Sequence, residues 1–221
     1  MKSFFKKTLY LSVFTIFSLA NAGSYEDFFR AVKSDNAGAV RTLIQRGFDP
    51  NTLDPSRQPG LVLALREPSP RVAKVLIEAP QTDVDIANGS NETPLMMAAL
   101  KGQKEFVDQL LARDAAVNRP GWAPLHYAAT TGQIEIMKVL LEKHAFIDAQ
   151  SPNGTTPLMM AAMYGSIDAV KLLLDEGADP LMKNEQGMTA ADFAQRANRS
   201  DAVELVAAAI RAKRPKGDGK W

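Results

Sequence analysis

The sequence contains no cysteine among its 221 residues. Disulfide bonds are therefore excluded, and stability has to come from burial of apolar side chains. Histidine is almost as scarce, with two residues, and the 26 basic side chains nearly balance the 25 acidic ones. We find no Ser/His/Asp set, phosphate-binding glycine loop or catalytic pair of carboxylates. Nothing in the sequence therefore points to an enzyme.

The amino terminus predicts export. Residues 2–7 hold three lysines, residues 8–19 are uncharged and mainly apolar, and residues 20–22 read Ala-Asn-Ala, a small-x-small sequence that signal peptidases cleave. The apolar stretch is shorter than the ~20 residues that span a bilayer. We therefore predict a cleaved signal peptide over residues 1–22 and no stable membrane insertion after cleavage. An uncleaved amino-terminal anchor is the alternative.

The charge distribution argues against nucleic acid as a partner. Residues 23–210 carry 18 basic and 24 acidic side chains, a formal charge of −6, whereas phosphate binding requires a basic surface. Basic residues are concentrated in residues 211–221, for which we predict a solvated flexible tail. Contact of this tail with anionic lipid or with an acidic protein is the alternative.

A seven-residue phrase recurs along the chain. Thr-Pro-Leu-x-x-Ala-Ala stands at residues 93–99 and 156–162, and Ala-Pro-Leu-His-Tyr-Ala-Ala stands at residues 123–129. When the third position serves as a register mark, six residues align at spacings of 30 to 34, namely Phe28, Leu61, Leu95, Leu125, Leu158 and Ala191. Each mark is followed three residues later by an alanine. Recurrence about every 33 residues indicates one supersecondary unit that is stacked several times.

Each unit is predicted to be a helix, a turn, a second helix and an extended loop. Thr93 and Thr156 are placed to cap a first helix, and the proline that follows each suits the first helical turn. Gly102, Gly132 and Gly165 are predicted to end first helices in a left-handed conformation. Aliphatic side chains at three- and four-residue spacing in the second helices predict a shared apolar core.

These features resemble the ankyrin repeat family over residues 25–210. The resemblance implies an all-α ankyrin-repeat solenoid of helix–turn–helix units with hairpin-like loops, within one domain over residues 23–210. The six units lie near residues 25–57, 58–90, 91–120, 121–153, 154–186 and 187–210. The first and last units depart from the phrase, as terminal repeats with a polar outer face do. In the second unit, Glu67-Pro68-Ser69-Pro70 predicts an extended turn, and about three residues are missing from the loop at 118–122.

Both histidines have structural interpretations. His126 stands in the recurring phrase, where the resemblance implies a hydrogen bond between repeats, and it lacks the companions that a metal site needs. His144 occupies the place that Gly47 and Gly177 hold in their units. That place favours a positive φ, which histidine tolerates. A catalytic or pH-sensing role for His144 is the alternative.

Two methionine pairs, Met96-Met97 and Met159-Met160, share one register in two units. We predict that they fill the core, because methionine adapts to irregular gaps. Metal capture or oxidant scavenging by the thioethers is the alternative. No metal and no cofactor is predicted for this chain.

The resemblance implies partner binding through loop tips and the concave face of the first helices. At these positions the middle units are large and apolar, and Trp122, Met163 and Tyr164 are predicted to form a central patch. Packing of Trp122 over its shortened loop is the alternative. The full predicted partner-binding set is Trp122, Met163, Tyr164, Leu100, Lys101, Met188, Thr130 and Thr131.

The sequence thus predicts a non-enzymatic, monomeric protein-binding module that acts on an exported protein. The chain resembles the short exported ankyrin proteins of Gram-negative bacteria, which implies a periplasmic location, with secretion outside the cell as the alternative. A few of those proteins are associated with periplasmic catalase and protection from peroxide. The first rival function is that of an immunity protein that neutralises a periplasmic toxin. A hydrolase or a binder of cell-wall glycan is a rival of another class.

Overall fold

The computed structural model describes residues 23–213, which form twelve helices in six consecutive pairs. The helices are α1 (residues 23–33), α2 (Ala37–Gln45), α3 (Gly60–Arg66), α4 (Pro70–Glu78), α5 (Pro94–Leu100), α6 (Lys104–Leu111), α7 (Pro124–Thr131), α8 (Ile134–Glu142), α9 (Pro157–Met163), α10 (Ile167–Asp175), α11 (Ala190–Arg196) and α12 (Ser200–Lys213). Within residues 23–213, β pairing is limited to one isolated bridge between Leu53 and Pro59. The all-α class and the helix–turn–helix order are therefore confirmed.

Two sequence predictions lie wholly or partly outside the described residues. The signal peptide at residues 1–22 is one, and residues 214–221 of the basic tail are the other. Helix α12 extends through Lys213, whose ammonium group donates a hydrogen bond of 3.3 Å to the Ala178 carbonyl oxygen. Among residues 23–213, we find no helix that combines the length and the apolar character needed to cross a membrane.

The chain divides into two compact units between Ser90 and Asn91. In the first unit, α4 packs on α2 and α3, and Phe28, Leu61 and Leu76 are fully buried. The extended turn predicted from Pro68 and Pro70 is present, because Glu67 is extended (ψ 163°) and α4 begins only at Pro70.

The start of α4 is capped by the preceding repeat. The side chain of Ser69 makes no capping bond. The Asp35 carboxylate instead accepts a hydrogen bond of 2.8 Å from the Val72 backbone N–H and one of 3.0 Å from Arg71 Nε. A carboxylate at a helix amino terminus also complements the helix dipole.

The second unit consists of two rows of helices. Helices α5, α7, α9 and α11 pack side by side, and α6, α8, α10 and α12 form the second row. The register marks Leu95, Leu125 and Leu158 are buried in the core. The alanines three residues later, which are Ala98, Ala128, Ala161 and Ala194 in this unit, are completely buried. Their small side chains permit the close approach of neighbouring first helices.

The predicted helix caps are present. Thr93 Oγ1 accepts a hydrogen bond of 3.3 Å from the Met96 backbone N–H, and Thr156 Oγ1 accepts one of 3.4 Å from that of Met159. Each threonine is followed by a proline at the first helical position. Each threonine hydroxyl thus satisfies one of the backbone N–H groups that a helix start leaves unpaired.

The predicted left-handed glycines are confirmed at two of three positions. Gly102 (φ +68°) and Gly132 (φ +66°) are left-handed, as is His144 (φ +63°) at the end of its second helix. The prediction is wrong for Gly165, which does not have a positive φ. A Cβ there would collide with the Ala129 carbonyl oxygen and lie 3.0 Å from Ala161 Cα. Glycine is required at residue 165 by close backbone packing, not by its dihedral angles.

The loops of adjacent repeats are joined by side-chain amides and carboxylates. Asn118 Nδ2 donates to the His144 carbonyl oxygen, and the Phe146 N–H donates to Asn118 Oδ1, both at 2.8 Å. One repeat later, Asp148 Oδ1 accepts a hydrogen bond of 3.0 Å from the Asp179 N–H. These contacts fix the spacing of the loops that precede the first helices.

Candidate functional site

The residue at the third helical position satisfies the same backbone donor in each first helix of the second unit. Sulfur atoms of Met96 and Met159 accept from the N–H of Thr93 and Thr156 at 3.4 Å. His126 Nδ1 does so for Ala123 at 3.1 Å, and Asp192 Oδ2 for Thr189 at 2.7 Å. Because Met96, Met97 and Met159 are also buried, the predicted core-filling role is confirmed for them. It is wrong for Met160, which is only partly buried.

His126 links two repeats, as predicted. Its side chain is completely buried, and Nε2 lies 3.0 Å from the Thr155 carbonyl oxygen of the next repeat. Because Nδ1 accepts from the Ala123 N–H, the proton of the neutral ring is assigned to Nε2, which donates to Thr155. Burial lowers the pKa of His126 below its ordinary value of 6.5. The imidazole is therefore a neutral structural group near neutral pH.

An open cavity of about 210 Å³ lies on the first helices of the second unit. We call it the Trp122 cavity, and its lining residues are Leu100, Trp122, His126, Tyr127, Thr130 and Met160. These side chains come from three successive repeats, on α5, on α7 with the loop before it, and on α9. The Trp122 ring meets His126 edge to face at 5.1 Å and Tyr127 at 6.4 Å between centroids.

A carboxylate stands beside the cavity. The Tyr127 hydroxyl donates a hydrogen bond of 3.2 Å to Glu92 Oε1. Burial, together with the negative charge and hydrogen bond of Glu92, raises the pKa of Tyr127 above its ordinary value of 10.0. Tyr127 therefore stays protonated and holds the Glu92 carboxylate against the edge of its ring.

Three of the predicted binding residues, Leu100, Trp122 and Thr130, line this cavity. Thr131 joins α7 to α5 beside the cavity, because its hydroxyl donates a hydrogen bond of 3.1 Å to the Leu100 carbonyl oxygen. Lys101 is exposed at the end of α5. These five residues thus belong to one region of the surface, formed by α5 and α7.

The remaining predicted residues lie elsewhere. Met163 and Tyr164 end α9 and do not line the cavity. Trp122 precedes the amino terminus of α7 and packs on its own helix, whereas Met163 and Tyr164 stand at the carboxyl end of the next first helix. Tyr164 is 59% exposed, and Met188 contacts Arg196 through its sulfur at 3.2 Å. The structure therefore places five of the eight predicted residues in one region, while Met163 and Tyr164 do not join Trp122 in the cavity, and the role of the whole set in binding stays a prediction.

Tyr127 and Met160 were missed as site residues by sequence reasoning, and Glu92 was recognised only as a loop-tip position outside the predicted binding set. The repeat register contains a signal for each of them. Tyr127 and Met160 both stand two residues after the register leucine, and Glu92 stands three residues before it, as Trp122 does in the next unit. A column-by-column comparison of the units therefore pairs Glu92 with Trp122 and Tyr127 with Met160.

Known proteins share the repeat over most of the chain. A protein-family model described as ankyrin repeats (three copies) matches residues 61–151 and 147–214. The ankyrin repeat and SAM domain-containing protein 6 of Rattus norvegicus is 32% identical over 111 residues, which are 48% of this chain and 12% of the relative. The transient receptor potential cation channel subfamily A member 1 of Homo sapiens is 29% identical over 122 residues, 52% of this chain and 11% of the channel.

A third relative is named as an enzyme. The glycerophosphocholine phosphodiesterase gde1 of Schizosaccharomyces pombe is 32% identical over 114 residues, 49% of this chain and 10% of the relative. The chain spans only about a tenth of the length of these curated relatives. Since a channel and a phosphodiesterase both match, the common element is the repeat itself.

Proposed function

Because the chain belongs to the ankyrin repeat family, we propose that it is a non-enzymatic protein-binding module whose Trp122 cavity holds one side chain of a partner protein. The repeat region is a binding scaffold, and specificity resides in what its repeats leave variable. Trp122 stands directly before the recurring phrase and His126 and Tyr127 occupy its two variable positions, and all three line this cavity.

The observation that carries the proposal is a half-open aromatic recess built by three repeats. Trp122 and Tyr127 are both large aromatic side chains, and both are only partly buried. Tryptophan and tyrosine are the residue types that most often dominate binding energy near the centre of an interface. A cavity of about 150 Å³ accommodates a benzene ring. The Trp122 cavity is therefore large enough for one large side chain.

We propose further that the module acts in the periplasm, after export, and supports peroxide defence through a catalase-linked partner. The methionines bear on how such protection would operate. Met96, Met97 and Met159 are buried, so peroxide in solvent does not reach their sulfur atoms in the folded state. These three sulfur atoms therefore do not act as scavengers of solvent peroxide, and the proposed protection acts through the bound partner. Neutralisation of a periplasmic toxin by occlusion is the alternative function.

Affinity capture with matched variants tests the proposed surface. The wild-type chain, Trp122→Ala and Phe146→Ala are used as baits in periplasmic extract, and captured chains are identified by mass spectrometry. Phe146 is 67% exposed and is not a lining residue, so its replacement is a control for loss of a large surface side chain. We expect wild type and Phe146→Ala to capture one common protein. Trp122→Ala should capture at least tenfold less of it, since loss of a central tryptophan costs about 2 kcal/mol or more of binding free energy.

The identity of the captured chain separates the candidate functions. A catalase supports peroxide defence, whereas a secreted toxin supports immunity. Equal capture by all three baits would show that binding does not use the Trp122 cavity. A Met163→Ala/Tyr164→Ala variant in the same experiment tests the other two residues of the predicted central patch, and circular dichroism of each variant verifies that it is folded.

A further inference from the structure

We propose that the Trp122 cavity accepts a positively charged side chain, lysine or arginine, from the partner. This inference rests on the proposed function, because it names the chemistry of the group that the same cavity holds. It follows from the aromatic walls, from the neighbouring carboxylate and from the charge of the surrounding chain.

The walls suit a cation. Trp122 and Tyr127 both line the cavity, with ring centroids 6.4 Å apart, so an occupant contacts two electron-rich aromatic side chains. A lysine or arginine cation within ~6 Å of such a ring is attracted by its quadrupole, most strongly by tryptophan. The third ring, His126, adds no opposing charge, because it is neutral and its Nε2–H is directed to Thr155.

Glu92 provides a counter-charge. Its carboxylate is fixed next to the cavity wall by the Tyr127 hydroxyl at 3.2 Å. An occupant that reaches the Tyr127 ring therefore lies close to the Glu92 carboxylate. A charge-assisted hydrogen bond to a carboxylate is roughly twice as strong as a neutral one.

The remaining lining matches the stem of such a side chain. Leu100 and Met160 present apolar surface from α5 and α9, on which the methylene groups of lysine or arginine pack while the charged end stays near solvent. The Thr130 hydroxyl donates a hydrogen bond of 2.7 Å to the His126 carbonyl oxygen. The walls of the cavity therefore combine apolar side chains, which contact the stem, with aromatic rings, which attract the cation.

The charge of the chain favours the same occupant. Residues 23–210 carry a formal charge of −6, which attracts a basic partner at long range. Two basic residues lie close in sequence to lining residues, Lys101 directly after Leu100 and Arg119 three residues before Trp122, but neither lines the cavity. The guanidinium of Arg119 donates to Asn91 Oδ1 at 3.4 Å.

Amino-acid fragments test the charge preference directly. The ¹⁵N-labelled protein is titrated with the Nα-acetyl amides of arginine and lysine, and with those of citrulline and norleucine as uncharged counterparts. The indole N–H signal of Trp122, assigned by its loss in Trp122→Phe, reports on occupancy. We expect the cationic compounds to shift this signal and to bind about tenfold more tightly than the neutral ones.

A matched pair of carboxylate variants completes the test. Glu92→Gln keeps an acceptor for Tyr127 but removes the charge, and we expect it to weaken binding of the cationic compounds about threefold to tenfold. Glu176→Gln removes an exposed charge at the end of α10 and should leave their binding unchanged. Equal binding of charged and neutral compounds, no shift with any compound, or equal binding by wild type and Glu92→Gln would each overturn the cation assignment.

The two proposals fail in different ways. If the Trp122→Ala bait loses its partner but charge has no effect on fragment binding, the cavity is a protein-binding site for an apolar side chain and only the cation assignment is wrong. If the Trp122→Ala bait retains its partner, the proposed use of the cavity is wrong, whatever the fragments do.

Discussion

The residue at the third position of each first helix shows how one structural task accepts different side chains. The acceptor is a thioether in Met96 and Met159, an imidazole in His126 and a carboxylate in Asp192. In each case it accepts a hydrogen bond from the backbone N–H of the residue three positions earlier. What sets His126 apart is its second nitrogen, which bonds Thr155 in the next repeat. The Thr155 carbonyl oxygen also accepts from the Ser151 N–H at 2.9 Å, so it stays satisfied if His126 is replaced.

His126→Met introduces the residue that the neighbouring repeats use. At about pH 8 we expect a loss of about 1 kcal/mol, the usual net value of one hydrogen bond. As pH falls, the unfolded wild type takes up a proton near pKa 6.5, whereas the folded protein resists until its lowered pKa is reached. Wild type should therefore lose up to about 1.4 kcal/mol of unfolding free energy per pH unit in this window, beyond any loss that the variant shows.

Urea unfolding from about pH 8 to about pH 5 measures that difference. His144→Asn is the control, because asparagine tolerates the positive φ at this site and His126 remains in place. It should retain the wild-type slope. Parallel pH profiles of wild type and His126→Met would contradict the assignment of a neutral buried imidazole.

Gly165 allows a second test at the residue scale. Gly165→Ala places a Cβ against the Ala129 carbonyl oxygen, and overpacking of this kind costs about 1–3 kcal/mol. Gly38→Ala is the matched control, because its Cβ would be 3.7 Å from Asn36 Oδ1. Alanine in a helix is favoured over glycine by about 1 kcal/mol. Thermal unfolding should therefore show a lower melting temperature for Gly165→Ala and an unchanged or higher one for Gly38→Ala, and a harmless Gly165→Ala would refute the packing explanation.

At the scale of helices and loops, the sequence was sufficient where local chemistry decides the structure. Thr93 and Thr156 with their prolines predicted helix starts, and His144 predicted a left-handed helix end. Gly165 shows the limit of this reasoning, because its requirement comes from the backbone of another repeat, which no local pattern records. The Trp122 cavity has the same origin, since its walls come from three repeats. Leu100, Trp122 and Thr130 could be predicted from position, but their common cavity with Tyr127 could not.

Asn118 tests how loops hold adjacent repeats together. Asn118→Ala removes two hydrogen bonds between repeats, and we expect a loss of about 1–2 kcal/mol in unfolding free energy. Asn118→Asp keeps the acceptor for the Phe146 N–H, the role that Asp148 plays in the next repeat, but loses the donor to His144. It should therefore lie between wild type and alanine in chemical denaturation. If Asn118→Asp were no more stable than Asn118→Ala, the donor to the His144 carbonyl oxygen would be the dominant contact and the intermediate position would be contradicted.

At the scale of the whole second unit, helices contact mainly their neighbours in the two rows. Helix α11 packs on α9 and α12, and α12 packs on α10 and α11. Stability in such an array is close to a sum of repeat and neighbour-interface contributions. A local defect in the last repeat should therefore open that repeat before the others.

Arg199 is the side chain at which this expectation can be tested. Its Nη1 donates to the carbonyl oxygens of Ala161 at 2.8 Å and Ala162 at 3.1 Å, near the carboxyl end of α9, where a cation also complements the helix dipole. Arg199→Met removes both bonds and the charge while keeping an apolar side chain. Since hydrogen bonds to charged groups contribute about 1.5–3 kcal/mol, amide exchange in α11 and α12 should accelerate at least about tenfold. Exchange in α5 and α7 should stay at the wild-type rate, and Asp201→Asn, whose carboxylate lies 3.9 Å from Arg199 Nη2, should change little. Equal acceleration in all four helices would mean that the second unit unfolds as a single cooperative block and not from its carboxyl end.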